Sequence, residues 1–190
     1  MNYYDNPYHN VIHAIDATNS CCFLINCGLI EKLPQFEVIT LLLSIFVHDV
    51  GHPGINNAFL IEMKSGEALI YNDLSVLENL HTALAFKLLN KPNSDITSGL
   101  NKNEYTKFRK LMIDLILATD LSGHTMLLTQ FKNNCQDTGS FDYEDDTSRL
   151  LIEKMLIKAS DIGHGAKTLE IHKQFSRYII EEFYIQGDLE

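Results

Sequence analysis

Residues 38–47, VITLLLSIFV, form an almost unbroken apolar run that ends on HDVGHPG, residues 48–54. A segment without a polar face belongs in the middle of a core, with other elements packed around it. The longer stretch PQFEVITLLLSIFVHDVG opens on Pro34 and closes near Gly51 and Pro53, which are the start and stop signals of a single helix. It falls well short of the roughly 20 apolar residues that a membrane span needs. A core helix that ends on His48 and Asp49 carries a cost, because neither side chain is buried cheaply without a partner.

The rest of the chain also has helical periodicity. HNVIHAIDATNSCCFLINCG stops at Gly28, a C-terminal capping residue. LSVLENLHTALAFKLLN has Ser75 followed three residues later by Glu78, the pattern of a capping box, and ends before Pro92. NEYTKFRKLMIDLILATD, DTSRLLIEKMLIKASD and KTLEIHKQFSRYIIEEFYIQGD are amphipathic. KPNSDITSG reads as a polar connector, and NNCQDTGSFDYEDD as an acidic, solvated loop. No internal repeat and no alternating strand pattern interrupts this, so the expected fold is all-α, a compact multi-helix bundle forming one domain over residues 1–190.

A formal net charge of −10 argues against nucleic acid or an anionic membrane surface as a partner. An anionic substrate would need local cations to overcome that field. Cys21, Cys22, Cys27 and Cys135 form no C-x-x-C pair and read as reduced thiols in a cytoplasmic setting. The opening MNYYDNPYHN is polar and is not a signal peptide.

The histidines and aspartates carry the chemistry. His9 and His13 are four apart, a spacing that puts both on one face of a helix, though ordinary packing explains such a pair about as well. Taken singly, His48 reads as a core histidine bonded to backbone and Asp49 as a cap for a segment opening at HPGINN. Asp161, in KASDIGH, ends another apolar segment, where the helix dipole disfavours a carboxylate and a bound cation would remove the conflict. Together His13, His48, Asp49 and Asp161 are nitrogen and oxygen ligands without thiolate, a set that suits zinc, iron, manganese or a mixed pair. The second carboxylate allows a bridge to a harder ion, magnesium or manganese. Two ions about 3.5–4 Å apart would clamp a phosphate.

Six segments, NPYHNVIHAID, HDVGHPGINNAFLI, YNDLSVLENLH, LATDLSGH, KASDIGHGAK and EEFYIQGDLE, occur in the order found in one family. The chain resembles the catalytic domain of the class I 3′,5′-cyclic nucleotide phosphodiesterases, within the wider HD superfamily. The resemblance implies that His13, His48, Asp49 and Asp161 hold a first metal, usually zinc, and that Asp49 bridges to a second, usually magnesium. It implies that His52, Glu78 and Thr119 hold waters of the second ion, that His9 is the general acid, and that Tyr8, Leu121 and His164 line the substrate pocket. The implied reaction opens cAMP or cGMP to the 5′-nucleotide. A hydroxide shared by the two metals attacks, and His9 protonates the 3′ oxygen, with Glu78 as the carboxylate expected beside it.

The chain departs from the family pattern in places. Gly51 stands where many relatives carry a second aspartate, a change expected to be tolerated, and Leu80 replaces a histidine in what is commonly E-N-H-H, thinning the polar shell near the second metal. The sequence begins late and ends at QGDLE, before the family's nucleotide-clamping glutamine and phenylalanine; Gln174 and Gln186 match other positions. The expectation is therefore a partial catalytic domain, incomplete at both ends and covering the metal-binding middle portion. His164 stands where some dual-specificity members have histidine, whereas His124 and His172 read as packing or solvated residues. Two alternatives remain: another HD-superfamily nucleotide phosphohydrolase, which YHNxxH and the QGD ending disfavour, and a truncated module that binds metal or a partner without turnover. A homodimer and regulatory domains are partners expected of a longer parent protein.

Overall fold

The computed structural model describes residues 2–138 and 141–190. In chain order its helices are α1 (Val11–Asn26), α2 (Gln35–Val47), α3 (Asn57–Glu62), α4 (Gly66–Tyr71), α5 (Val76–Leu89), α6 (Lys102–Leu117), α7 (His124–Thr138), α8 (Asp146–Asp161) and α9 (Leu169–Gly187). Short 3₁₀ turns at Leu121–Gly123 and Gly163–Ala166 follow α6 and α8. No strand occurs among the described residues, so the all-α expectation holds.

The apolar α2 packs against α1, α5, α6 and α8. Leu41 and Ile45 on α2 are sealed from solvent and join Ala17, Cys21 and Ile25 of α1, Leu115 of α6, and Ile152, Leu156 and Ile157 of α8. A second apolar cluster gathers Ala85 and Phe86 of α5 with Phe108, Met112 and Ile116 of α6, and Val50 just beyond α2. Each fully buried aliphatic side chain contributes about 1.5–3 kcal/mol. The enclosure of α2 is incomplete, because Ile39 and Phe46 are exposed. Its all-round apolarity therefore marks both a core stripe and an uncovered one.

Helix starts differ from the sequence expectations where a distant partner competes. The Asn10 side chain accepts from the backbone N–H groups of Ile12 and His13 and caps α1. His9 therefore lies just before the helix rather than on its face. Ser75 forms no capping box. It sits in a left-handed conformation (φ +41°), its hydroxyl donates to Asp120 at 2.7 Å, and the Glu78 carboxylate accepts from Asn57 instead. A capping box is formed instead by Asn101 and Glu104, at the start of α6. Asn56, not Asp49, caps the segment after HPGINN, giving the six-residue α3. The stretch read as an acidic loop is helical through Thr138 as the end of α7; residues 139–140 lie outside the described residues.

Three helix ends deliver the site. The start of α1, the end of α2 and the end of α8 meet because α1 packs along both α2 and α8. A close approach at Gly163 allows this, since a Cβ there would lie 2.7 Å from Ser20 Oγ and 2.9 Å from Ser20 Cβ. Any larger residue would push the end of α8 away from α1, and Asp161 away from His13 with it.

Candidate metal centre

His13 Nε2 lies 3.0 Å from Asp161 Oδ1 and 3.3 Å from Asp49 Oδ2. His48 Nε2 lies 3.1 Å from each of the same two oxygens. The position just past the end of α2 supplies His48, whose Nδ1 donates to the Ile45 carbonyl one turn back at 2.7 Å. A carbonyl can only accept, so this bond keeps the proton on Nδ1 and leaves a lone pair on Nε2 in the neutral ring. That lone pair points at carboxylate oxygens, which are also acceptors. Acceptors facing acceptors at these distances need a positive charge between them, either a proton on the imidazole or a bound cation in its place. His13 and His48 are buried and both aspartates are partly shielded, and one ligand atom from each falls within 4.8 Å of all the others. This donor set fits a divalent cation on chemical grounds, and the Ile45 bond is the kind of outer contact that orients a ligating histidine.

The electrostatics agree. Burial alone would raise the Asp49 and Asp161 carboxyls. The charge of His48, and hydrogen bonds to His13 and His48, reverse this and hold both well below the usual carboxylate range. Burial likewise opposes charge on His13, yet its bonds to Asp161 and Asp49 push it up to about 9. The cluster is built to contain positive charge.

Asp49 faces two ways. Oδ2 meets His13 and His48, while Oδ1 lies 3.8 Å from His81 Nε2. His81 Nδ1 donates to the Val50 carbonyl at 2.9 Å, so its Nε2 also offers a lone pair. Burial, ahead of all other influences, pushes His81 down to about 4 and His52 down to about 3, so both rings are neutral at pH 7. Glu78 and Thr119 join them in the wall of a cavity of about 560 Å³, which also touches Tyr8, His9, Leu121, Asp161 and His164. Every residue to which the sequence resemblance gave a metal, catalytic or pocket role therefore either belongs to the four-residue cluster or lines the cavity beside it. Leu80 is half-buried and does not line the cavity; from its turn of α5, His81 is the residue that reaches Asp49.

His9 lies beside the cluster, its ring stacked on His52 with centroids 3.8 Å apart. The carboxylate that contacts it is Glu182 of α9, not Glu78. Glu182 Oε1 bonds His9 Nδ1, and Oε2 accepts from the backbone N–H groups of Tyr8 (2.9 Å) and His9 (3.0 Å). Burial would raise the Glu182 carboxyl, but these bonds hold it near 2. His9, His52 and Glu182 form a second close group of possible metal ligands. The near-parallel stacking of the two rings argues against one shared ion there, because their in-plane lone pairs do not converge. Sequence reasoning missed both Glu182 and His81. Each is a polar residue within a helix and carries no local mark of burial.

His164 stacks on His172 and Phe175, and the Tyr8 ring meets both His164 and Phe175 edge-on. His172, read from the sequence as a packing or solvated residue, packs against the cavity-lining His164. Gly51 has φ +74°, and a Cβ there would come within 2.4 Å of a Leu84 methyl. In this chain a glycine at position 51 relieves backbone strain next to the site.

The sequence matches the 3′,5′-cyclic nucleotide phosphodiesterase family over residues 8–190. The chain belongs to that family, whose members use divalent metals. It is 37% identical over 188 residues to the dual specificity calcium/calmodulin-dependent 3′,5′-cyclic nucleotide phosphodiesterase 1B of Bos taurus, covering 98% of this chain and 34% of the relative. It is 38% identical over 192 residues to isoform F of the 3′,5′-cyclic-AMP phosphodiesterase of Drosophila melanogaster, covering 98% of this chain and 29% of the relative. The crystal structure of the phosphodiesterase domain of the RhoPDE fusion protein from the choanoflagellate Salpingoeca rosetta superposes with a TM-score of 0.96 at 32% identity. That superposition covers all of this chain and 60% of the other. The chain thus spans about a third of the length of these curated relatives.

Proposed function

We propose that this chain carries the metal-dependent centre of an enzyme that hydrolyses 3′,5′-cyclic nucleotides, cAMP, cGMP or both, to 5′-nucleotides. The convergence of His13, His48, Asp49 and Asp161 on one point, each contributing a lone pair, carries the proposal. These four would hold a first ion, which their nitrogen–oxygen chemistry suits to zinc. Asp49 Oδ1 would hold a second, harder ion, magnesium or manganese, with His52, Glu78, Thr119 and His81 placed to bond its waters. When bound, such a pair supplies positive charge for the phosphate and makes water a stronger nucleophile at neutral pH.

The chain's own residues do the rest. Glu182 engages His9 Nδ1, which leaves Nε2 as the ring nitrogen for the departing 3′ oxygen, so His9 acts as the general acid and Glu182 orients it. Tyr8 buttresses both His9 and His13 with its ring, at centroid distances of 4.8 and 4.6 Å. Leu121 and His164 form cavity wall against which a base can pack. A cytoplasmic, reducing setting is part of the same proposal and is supported by four free cysteines. The acidic surface makes nucleic acid a poor partner. Among the described residues no single helix is long and apolar enough to cross a membrane.

The test is elemental analysis and a cyclic-nucleotide assay on one sample of wild-type protein and of His9→Ala. The expected result is metal in both, with turnover in the variant lower by about 10²–10⁴-fold. Metal-loaded wild-type protein that leaves cAMP and cGMP intact would overturn the reading.

A further inference from the structure

Lys158 lies on α8, one turn before Asp161, and is only 6% exposed. Among the described residues its ammonium bonds no carboxylate. It donates to three successive backbone carbonyls, those of Ala118 (2.9 Å), Thr119 (3.4 Å) and Asp120 (3.1 Å). Ala118 is the C-terminal cap of α6, so these oxygens sit where a helix leaves its last acceptors unpaired and its dipole negative. Three donors on a compact cation match three acceptors.

The clamped residues lead into the cavity. Thr119 and Asp120 both line it. The Asp120 side chain accepts from the Ser75 hydroxyl at 2.7 Å and from the Ser122 backbone N–H at 2.8 Å. Ser75 holds a left-handed backbone at the start of α5, a conformation that a non-glycine residue keeps only when its surroundings impose it. The next turns of α5 carry Glu78 and His81. A continuous run of contacts therefore joins Lys158 on α8 to the side of Asp49 that faces away from His13 and His48.

We propose that Lys158 is a positioning residue for the second metal ion: by clamping the end of α6, it fixes Thr119 and, through Asp120 and Ser75, the turn of α5 that bears Glu78 and His81. This inference rests on the two-ion reading above. Among the described residues none of the four ligands proposed for the first ion hydrogen-bonds Lys158, so loss of the clamp should weaken the second subsite more than the first.

The experiment compares wild-type protein with Lys158→Met, Lys158→Arg and Ser75→Gly. Zinc content is measured by elemental analysis, manganese binding to the zinc-loaded protein by titration calorimetry or electron spin resonance, and folding by thermal unfolding. Lys158→Met keeps the apolar stem and loses all three donors. It should retain zinc and bind manganese about 10–100-fold more weakly, and Lys158→Arg should recover part of that loss. Ser75→Gly suits the left-handed backbone and removes the hydroxymethyl group that bonds Asp120, so it stays folded and should lose several-fold in manganese affinity. Folded variants that bind manganese as wild type does would overturn the inference, and Ser75→Gly decides it if Lys158→Met does not fold. Equal loss of zinc and manganese would overturn it too, because the role would then be general. Wild-type protein that binds zinc but no second ion would instead refute the two-ion reading.

Discussion

Glu153 and Asp161 lie about two turns apart on α8, and their carboxyls behave in opposite ways. Glu153 is the more deeply buried and faces the first turn of α2, where Glu37 lies. Burial raises its carboxyl, the charge of Glu37 raises it further, and it reaches about 8 despite the opposing charge of Arg149. Asp161 also meets the cost of burial, but the charge of His48 and hydrogen bonds to His13 and His48 outweigh it and hold the group ionised. Arg149 is committed to Glu37, with Nε–Oε2 at 2.9 Å and Nη2–Oε1 at 3.2 Å, which leaves Glu153 Oε1 without a hydrogen-bond partner among the described residues. The comparison teaches that burial alone does not make a buried acid a ligand. The groups opposite it decide: imidazoles prepare one carboxylate for a cation, while a second carboxylate makes the other a holder of a proton.

The largest expected effect breaks the comparison at its charged end. Asp161→Ala removes an acceptor shared by His13 and His48. It should abolish first-ion binding and turnover together, as read by elemental analysis and the hydrolysis assay, while Glu153 keeps its environment. Asp161→Ala protein with full metal content would show that the other three ligands suffice.

Next comes the protonated end. The folded protein keeps the Glu153 proton up to about pH 8, whereas the unfolded chain releases it near the ordinary value of 4.5. The contribution to stability is therefore complete below about pH 4.5 and is lost as pH rises towards 8, with a slope of up to about 1.4 kcal/mol per unit. Glu153→Gln cannot ionise and should flatten this decline in denaturant unfolding measured at several pH values. An unchanged slope in the variant would mean that other groups produce it.

The smallest effect sharpens the contrast. Arg149→Met should cost about 1 kcal/mol, since its ion pair with Glu37 is partly open to solvent. It should also push the Glu153 titration higher, because the charge of Arg149, which opposes that of Glu37, is gone. Titrating the Glu153 carboxyl by NMR in the variant, and finding it lower than in wild type, would contradict the assigned roles.

Much of this cluster was legible in the chain because three of its four side chains end apolar segments. His48, Asp49 and Asp161 stand where a buried helix stops, and a polar residue there needs a local reason. The ordered motifs then pointed to His9, His52, Glu78 and Thr119, all of which reach the cavity wall. Glu182 and His81 left no such trace. On an amphipathic helix a polar residue at a boundary position looks the same whether it faces water or a site, and the partner of Glu182 is 173 residues away. Ser75 misled for a related reason. Its spacing to Glu78 satisfies a local rule, but Asp120 and Asn57 compete for the same side chains from elsewhere in the fold.

Periodicity and helix stop signals, which depend on neighbours within a few residues, determined by themselves that the chain is helical, that α2 is central and that polar side chains sit at its end. Only the tertiary structure decided which side chains oppose one another across helices, and hence which carboxyl stays charged. Electrostatic interaction falls with distance in space and strengthens as water is excluded, and neither quantity exists until the helices pack.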